Sequence, residues 1–81
     1  MRHLRKRSFS LAGHRTSVAL EAVFWTALEQ AAARRGMSLA ALVGEVDGGR
    51  ADPTLPLASA LRVFALLESR VASPPLPGGD G

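Results

Sequence analysis

The chain has 81 residues, 47% of them hydrophobic, so it forms one domain at most and buries only a small core. It contains no cysteine, which excludes disulfides, cysteine–zinc sites and thiol chemistry. The net charge is +3, and residues 1–20 carry five basic residues and no acidic one, a distribution typical of proteins that bind nucleic acid or an anionic membrane surface.

The two ends of the chain are predicted to lie outside the folded domain. Residues 1–8 contain Arg5, Lys6 and Arg7 and are expected to form a flexible basic arm that contacts phosphates. Residues 72–81 are rich in proline and glycine and are expected to be disordered. The domain itself is therefore predicted over residues 9–71.

A strand is predicted directly after the arm. Apolar residues alternate with polar ones, first on odd and then on even numbers: Phe9, Leu11, Val18 and Leu20. Because the side-chain period of a strand is two, this change of parity requires a bulge, bend or turn, for which Gly13 is the natural position. Residues 14–20 are predicted as the main strand, and residues 7–12 are left open as an extension or a second strand. In the second case residues 7–12 would form a hairpin with residues 14–20 about Gly13, and each chain would have two strands.

Three helices are predicted after the strand. Apolar residues recur at helical spacing over residues 21–35, 39–46 and 56–71. Gly36 suits a left-handed C-terminal cap of the first helix, and Ser38 suits the N-cap of the second. A lone strand cannot satisfy its own hydrogen bonds, so the pattern favours pairing with the same strand of a second chain.

The string GHRTSVALEAVFWTAL…RRGMSLAALVGEVD…SALRVF, over about residues 5–68, resembles the Arc/MetJ-type ribbon-helix-helix DNA-binding proteins. It is similar to one bacterial subgroup of uncharacterised domains in that family. The resemblance implies a mainly α fold with one short strand per chain and an intertwined homodimer whose two strands form an antiparallel ribbon. The ribbon would enter the major groove of double-stranded DNA, with higher oligomers on DNA left open. The third helix and the long loop 47–55 exceed the family's minimal unit.

The resemblance also implies roles for individual residues. Alternate strand residues would contact bases, namely Arg15, Ser17 and Ala19, although Ala19 replaces the longer polar residue often found there. The backbone amides of Ser38 and Leu39, at the start of the second helix, would bind a DNA phosphate. The dimer core would contain the inward residues of the strand and the helices: Val18, Leu20, Phe24, Leu28, Leu42 and Val43.

Other classes of function are less consistent with the sequence. No apolar run reaches the length of about 18 residues that a membrane span needs, and no export signal is apparent, so a cytoplasmic location is expected. His3 and His14 do not have metal-ligand spacing, and no catalytic set is apparent, so we expect no metal, no cofactor and no enzyme activity.

The sequence therefore predicts a sequence-specific transcriptional regulator, most simply a repressor. One alternative is the antitoxin of a toxin–antitoxin pair, with the same DNA-binding domain and a toxin on the third helix or the tail. The short tail SPPLPGGDG, which has few apolar anchors, favours the first function. A further alternative is a helical protein-interaction module whose basic arm binds a membrane.

Overall fold

The computed structural model describes residues 3–50 and 54–72, with side chains as far as residue 70. Two strands precede three helices in chain order: β1 (Leu4–Leu11), β2 (His14–Glu21), α1 (Ala22–Arg34), α2 (Leu39–Gly48) and α3 (Leu57–Ala72). The predicted disordered tail lies outside the described residues from position 73 onward. The three helix predictions are confirmed to within two residues at each end.

The strands form an antiparallel hairpin within the chain, and Leu11 pairs with His14 across a two-residue turn. Both turn residues have positive φ, 52° at Ala12 and 83° at Gly13. This is the type I′ arrangement, whose twist matches that of the two strands. The turn also explains the change of parity, because residues directly opposite each other in a hairpin share one face of the sheet.

The hairpin corrects two predictions. The main prediction of one strand per chain is wrong and the hairpin alternative is confirmed, because residues 4–11 pair with β2 within the chain. The folded domain also begins at Leu4 rather than at residue 9. Most of the predicted flexible arm, including Arg5, Lys6 and Arg7, therefore lies in a strand.

The connection between α1 and α2 has the predicted caps. Gly36 has φ of 67°, its amide donates to the Ala33 carbonyl, and the Met37 amide donates to the Ala32 carbonyl at 3.0 Å. This pair of bonds is the Schellman motif that ends many helices. The Ser38 hydroxyl then accepts a hydrogen bond from the Ala41 amide at 3.0 Å and caps α2.

The core lies between the inner face of the hairpin and the three helices. It consists of buried side chains from all five elements: Phe9, Leu11, Val18, Leu20, Trp25, Leu28, Ala31, Ala32, Leu42, Val43, Leu61 and Ala65. Five of the six residues predicted for a dimer core are thus buried within a single chain. The exception is Phe24, which is only half-buried, because Trp25 rather than Phe24 faces the hairpin.

The third helix is an integral part of this domain. Leu61 and Ala65 are buried, and they pack with α1 and α2. Ion pairs fix the helix at both ends of α1, since Arg62 bonds to Glu21 at 3.0 Å and Glu68 bonds to Arg34 and Arg35. Ala65 is thus on the buried side of the helix, whereas Leu67, two residues later, is exposed.

Candidate nucleic-acid interface

The hairpin has one apolar face and one polar face. Its inner face carries Phe9, Leu11, Val18 and Leu20 into the core. Its outer face carries alternate residues of both strands: Lys6, Ser8 and Ser10 from β1, and Arg15, Ser17 and Ala19 from β2. We call these six residues the outer face of the hairpin.

These six residues include no acidic side chain, and the same side of the hairpin continues to Leu4 and Glu21 at the end that joins α1. Lys6 lies opposite Ala19, Ser8 opposite Ser17, and Ser10 opposite Arg15. All but the half-buried Ala19 are exposed, and no ion pair among the described residues involves Lys6 or Arg15. Two cations, three hydroxyls and a methyl group are therefore available to a ligand.

The acidic residue nearest this surface in sequence is Glu21, at the last position of β2. Its carboxylate accepts a hydrogen bond from the Arg62 guanidinium at 3.0 Å. This ion pair partly neutralises the negative charge at the end of the hairpin that joins α1. The tip of the hairpin, with Arg15 near the turn, carries a net positive charge.

The three basic residues predicted to contact phosphates have different environments. Arg7 is on the inner side, where its guanidinium bonds to Glu29 at 2.8 Å and lies 5.1 Å from the centre of the Trp25 ring. The Arg5 backbone carbonyl accepts a hydrogen bond from Trp25 Nε1 at 2.8 Å, which fixes β1 to α1. Lys6 alone among the three belongs to the outer face. The structure therefore does not group them as one basic cluster.

The start of α2 provides a second feature suited to an anion. The first amides of a helix have no intrahelical acceptor, and the helix dipole favours negative charge there. The Ser38 hydroxyl accepts a hydrogen bond from the Ala41 amide, so this cap does not use the amides of Leu39 and Ala40. No hydrogen bond or ion pair among the described residues joins this helix start to the outer face of the hairpin, so the structure does not show the two features acting together.

The structure adds two residues that the sequence prediction did not include, Ser8 and Ser10, and places the predicted Lys6 on the same face. Their signal was present, because the alternation at Phe9 and Leu11 puts Ser8 and Ser10 on the opposite face. The pattern left open whether β1 pairs with β2, and this pairing is what joins both polar rows into one surface.

The chain matches the family model described as a ribbon-helix-helix domain over residues 4–69. The match spans β1 and most of α3 as well as the segments between them, and the chain belongs to this family. Ribbon-helix-helix domains are DNA-binding regulators, so a function of this kind is supported for the whole domain. Neither the curated proteins nor the solved structures give a match to this chain.

Two observations on the described part of the chain concern membrane spans and metal sites. None of its helices is long and apolar enough to cross a membrane. Its His, Asp and Glu side chains do not form a group of three that could hold a metal ion.

Proposed function

We propose that this protein is a bacterial, cytoplasmic transcriptional regulator that recognises a specific DNA sequence. It is most simply a repressor, and it acts as a homodimer. The observation that carries the proposal is the outer face of the hairpin, where two rows of small or basic side chains stand on a rigid two-stranded ribbon. The major groove of B-DNA admits a two-stranded ribbon of this kind. A dimer that covers a palindromic operator would block transcription.

The side chains of β2 suit direct contact with bases. Arg15 can donate two hydrogen bonds to a guanine, and Ser17 can donate to or accept from either kind of base. Ala19 offers a methyl group, which suits the methyl group of thymine. We propose that these three residues contact the bases of the operator and recognise its sequence. Several dimers could bind side by side as a higher oligomer on a longer operator.

The basic and amide groups around the ribbon suit phosphates. Lys6 of β1 lies directly opposite Ala19 of β2 on the same face. Its flexible ammonium group suits a contact with the phosphate backbone of DNA. The amides of Ser38 and Leu39 were predicted to bind a phosphate, and the Ser38 cap leaves the Leu39 amide available. Arg5 and Arg7 would add to the positive field, although Arg7 is held by Glu29.

Antitoxin function is a second candidate, and one observation favours it. Val63, Leu66 and Leu67 of α3 are exposed although they are large and apolar, and such a surface could hold a toxin. A protein that co-purifies with the natural chain and covers α3 would support this candidate. The membrane-binding alternative has less support, because it requires Arg5, Lys6 and Arg7 as one free arm.

Selection of bound sequences from a random DNA pool, at physiological salt, tests the proposed function. We expect enrichment of a palindrome, since a two-fold dimer reads the same half-site twice. The variant Arg34→Gln is a matched control, because it removes a positive charge near the far end of α1, about 20 Å from the first residue of that helix. It should select the same sequences as the wild type. A pool that stays random would contradict the proposal.

A further inference from the structure

The side chains of Ser8 and Ser17 form a pair across the two strands of the hairpin. Their hydroxyl oxygens are 3.0 Å apart, which is hydrogen-bond distance, and either oxygen can be the donor. Both side chains are exposed on the outer face of the hairpin, and the two residues are direct partners in its register. β1 thus places a hydroxyl beside the one that the proposed function assigns to base contact.

The serine pair occupies the centre of the outer face, where the side chains are short. Its neighbours Ser10 and Ala19 are also small, whereas the two long cations, Lys6 and Arg15, lie at diagonally opposite corners. A flat base edge can therefore approach the two hydroxyls closely, while the cations extend past it on either side. The centre of this surface is suited to a base.

Serine is the one residue type on the outer face that can accept a hydrogen bond with its side chain. The ammonium group of Lys6 and the guanidinium of Arg15 only donate, and Ala19 has no polar side-chain atom. An amino group on a base edge must therefore donate to a serine. Two of the three serines on this face belong to the pair.

A hydrogen bond between the two hydroxyls changes what each offers to a ligand. A hydroxyl has one proton and two acceptor sites, so a lone serine can turn to donate or to accept. In the pair, one of the two protons lies between the oxygens. One hydroxyl then keeps its proton for the ligand, and the other is left to accept. The pair thus presents a donor and an acceptor side by side, as the carboxamide of asparagine or glutamine does.

Adenine is the single base whose edge matches this combination. In the major groove adenine presents the N7 acceptor beside the N6 amino donor, and asparagine or glutamine contacts both atoms. Cytosine presents only a donor, and thymine only an acceptor beside its methyl group. Guanine presents two acceptors, so the pair would have to break its own hydrogen bond in order to donate twice.

We propose that Ser8 and Ser17 act as one recognition group for adenine, built from both strands of the hairpin. The hydroxyl that keeps its proton donates to N7, and the oxygen of the other accepts from the N6 amino group. Ser8 is then a specificity-determining residue on β1, in addition to the base contacts proposed for β2. This inference rests on the proposed function and specifies one base in each half-site.

Selection from a random DNA pool, repeated with variants of Ser8, tests this assignment. The wild type should enrich a palindrome with adenine at one position of each half-site. Ser8→Val should keep the other positions and lose the preference for adenine. Ser8→Thr has nearly the same shape as Ser8→Val but keeps the hydroxyl, so it should retain the adenine.

Two controls separate this effect from a change in the fold. Thr26→Val removes a hydroxyl at an exposed position of α1, and it should select the same sequences as the wild type. Valine and threonine both favour strands. Thermal unfolding of Ser8→Val and Ser8→Thr should therefore give similar midpoints, so that the two variants differ in DNA preference alone.

Base analogues test the two contacts atom by atom. 7-Deazaadenine lacks the N7 acceptor, and purine lacks the N6 amino group. At the adenine of the selected site, each analogue should lower the affinity of the wild type about 5-fold per half-site, since one of two hydrogen bonds is lost. In Ser8→Val the remaining Ser17 hydroxyl can turn to whichever group is left. Both analogues should therefore change the affinity of this variant much less.

The outcomes distinguish this inference from the proposed function. A palindrome in which Ser8→Val retains the adenine would overturn the inference alone. A loss of affinity for all sequences alike in Ser8→Val would also overturn it, since the pair would then contact phosphate. A wild-type pool that stays random would contradict the proposed function, and the adenine assignment with it.

Discussion

Ser8 and Ser17 lie directly opposite each other in the two strands of the hairpin, with their hydroxyl oxygens 3.0 Å apart. The contact shows that β1 and β2 contribute neighbouring polar groups to the same surface. Lys6 and Ala19 lie on one side of this pair, and Ser10 and Arg15 lie on the other. A ligand of this surface would meet residues of both strands at once.

Lys6 and Arg7 are neighbours in sequence with opposite orientations, and we expect their substitution to have different effects. Lys6→Ala should weaken binding to all DNA sequences alike, because a lost phosphate contact lowers the slope of affinity against salt by about 0.9. Arg7→Ala should change DNA binding less and reduce stability by about 0.5–1.5 kcal/mol, through loss of the Glu29 ion pair and the Trp25 contact. Titrations with DNA across a salt series, and urea unfolding, measure the two effects. Equal salt slopes for the two variants would contradict the assignment of faces.

Leu28 is completely buried on the side of α1 that faces the core. Leu28→Ala should reduce the free energy of unfolding by about 2–5 kcal/mol, the usual range for a truncated core leucine. Urea unfolding at several protein concentrations measures this loss and shows whether association contributes to it. Val23→Ala, at an exposed position of the same helix, should change the free energy of unfolding by much less. A similar decrease in the free energy of unfolding for both variants would mean that the buried side of α1 has been assigned incorrectly.

Gly13 has φ of 83° in the turn of the hairpin, a conformation that residues with a Cβ atom rarely adopt. Gly13→Ala should reduce stability by about 1 kcal/mol through the backbone alone, because no atom lies within 4 Å of the added Cβ. Gly48→Ala is a suitable control. That glycine also has open space around it, but it lies in α2 without positive φ, so the change should not destabilise the protein. Thermal unfolding of both variants compares them, and a stable Gly13→Ala would argue against a type I′ turn.

The local features of the fold were predictable from the sequence. Which strands and helices pack against each other was harder to predict. The caps at Gly36 and Ser38, the parity of β2 and the limits of the helices depend on neighbouring residues, and all are confirmed. The hairpin of β1 with β2 was only one of two open geometries, because alternation shows which residues share a face but not which strand lies beside them. Sequence predicts a flexible basic arm near the N-terminus, whereas Arg5, Lys6 and Arg7 lie in β1 and Arg7 lies over the Trp25 ring.

The choice between adjacent apolar residues also required tertiary contacts. Phe24 and Trp25 are about 100° apart around α1, so helical periodicity alone does not decide which of the two side chains is buried in the core. The hairpin decides between them, because Trp25 packs 5.9 Å from Phe9 and donates its Nε1 proton to the Arg5 carbonyl. Phe24 instead lies beside Arg62 of α3. The predicted contacts of Arg15, Ser17 and Ala19 with DNA stay predictions.

The measurement that tests the central claim most directly is the affinity of Arg15→Ala for selected and scrambled DNA. Arg15 is exposed on the outer face of the hairpin and has no ion pair among the described residues, so its guanidinium can meet a base edge. We predict a loss of discrimination of about 1–3 kcal/mol for each base contact, twice in a dimer, with little change on scrambled DNA. An equal loss of affinity for both DNAs would show that Arg15 contacts only phosphate, and would contradict sequence reading by the hairpin.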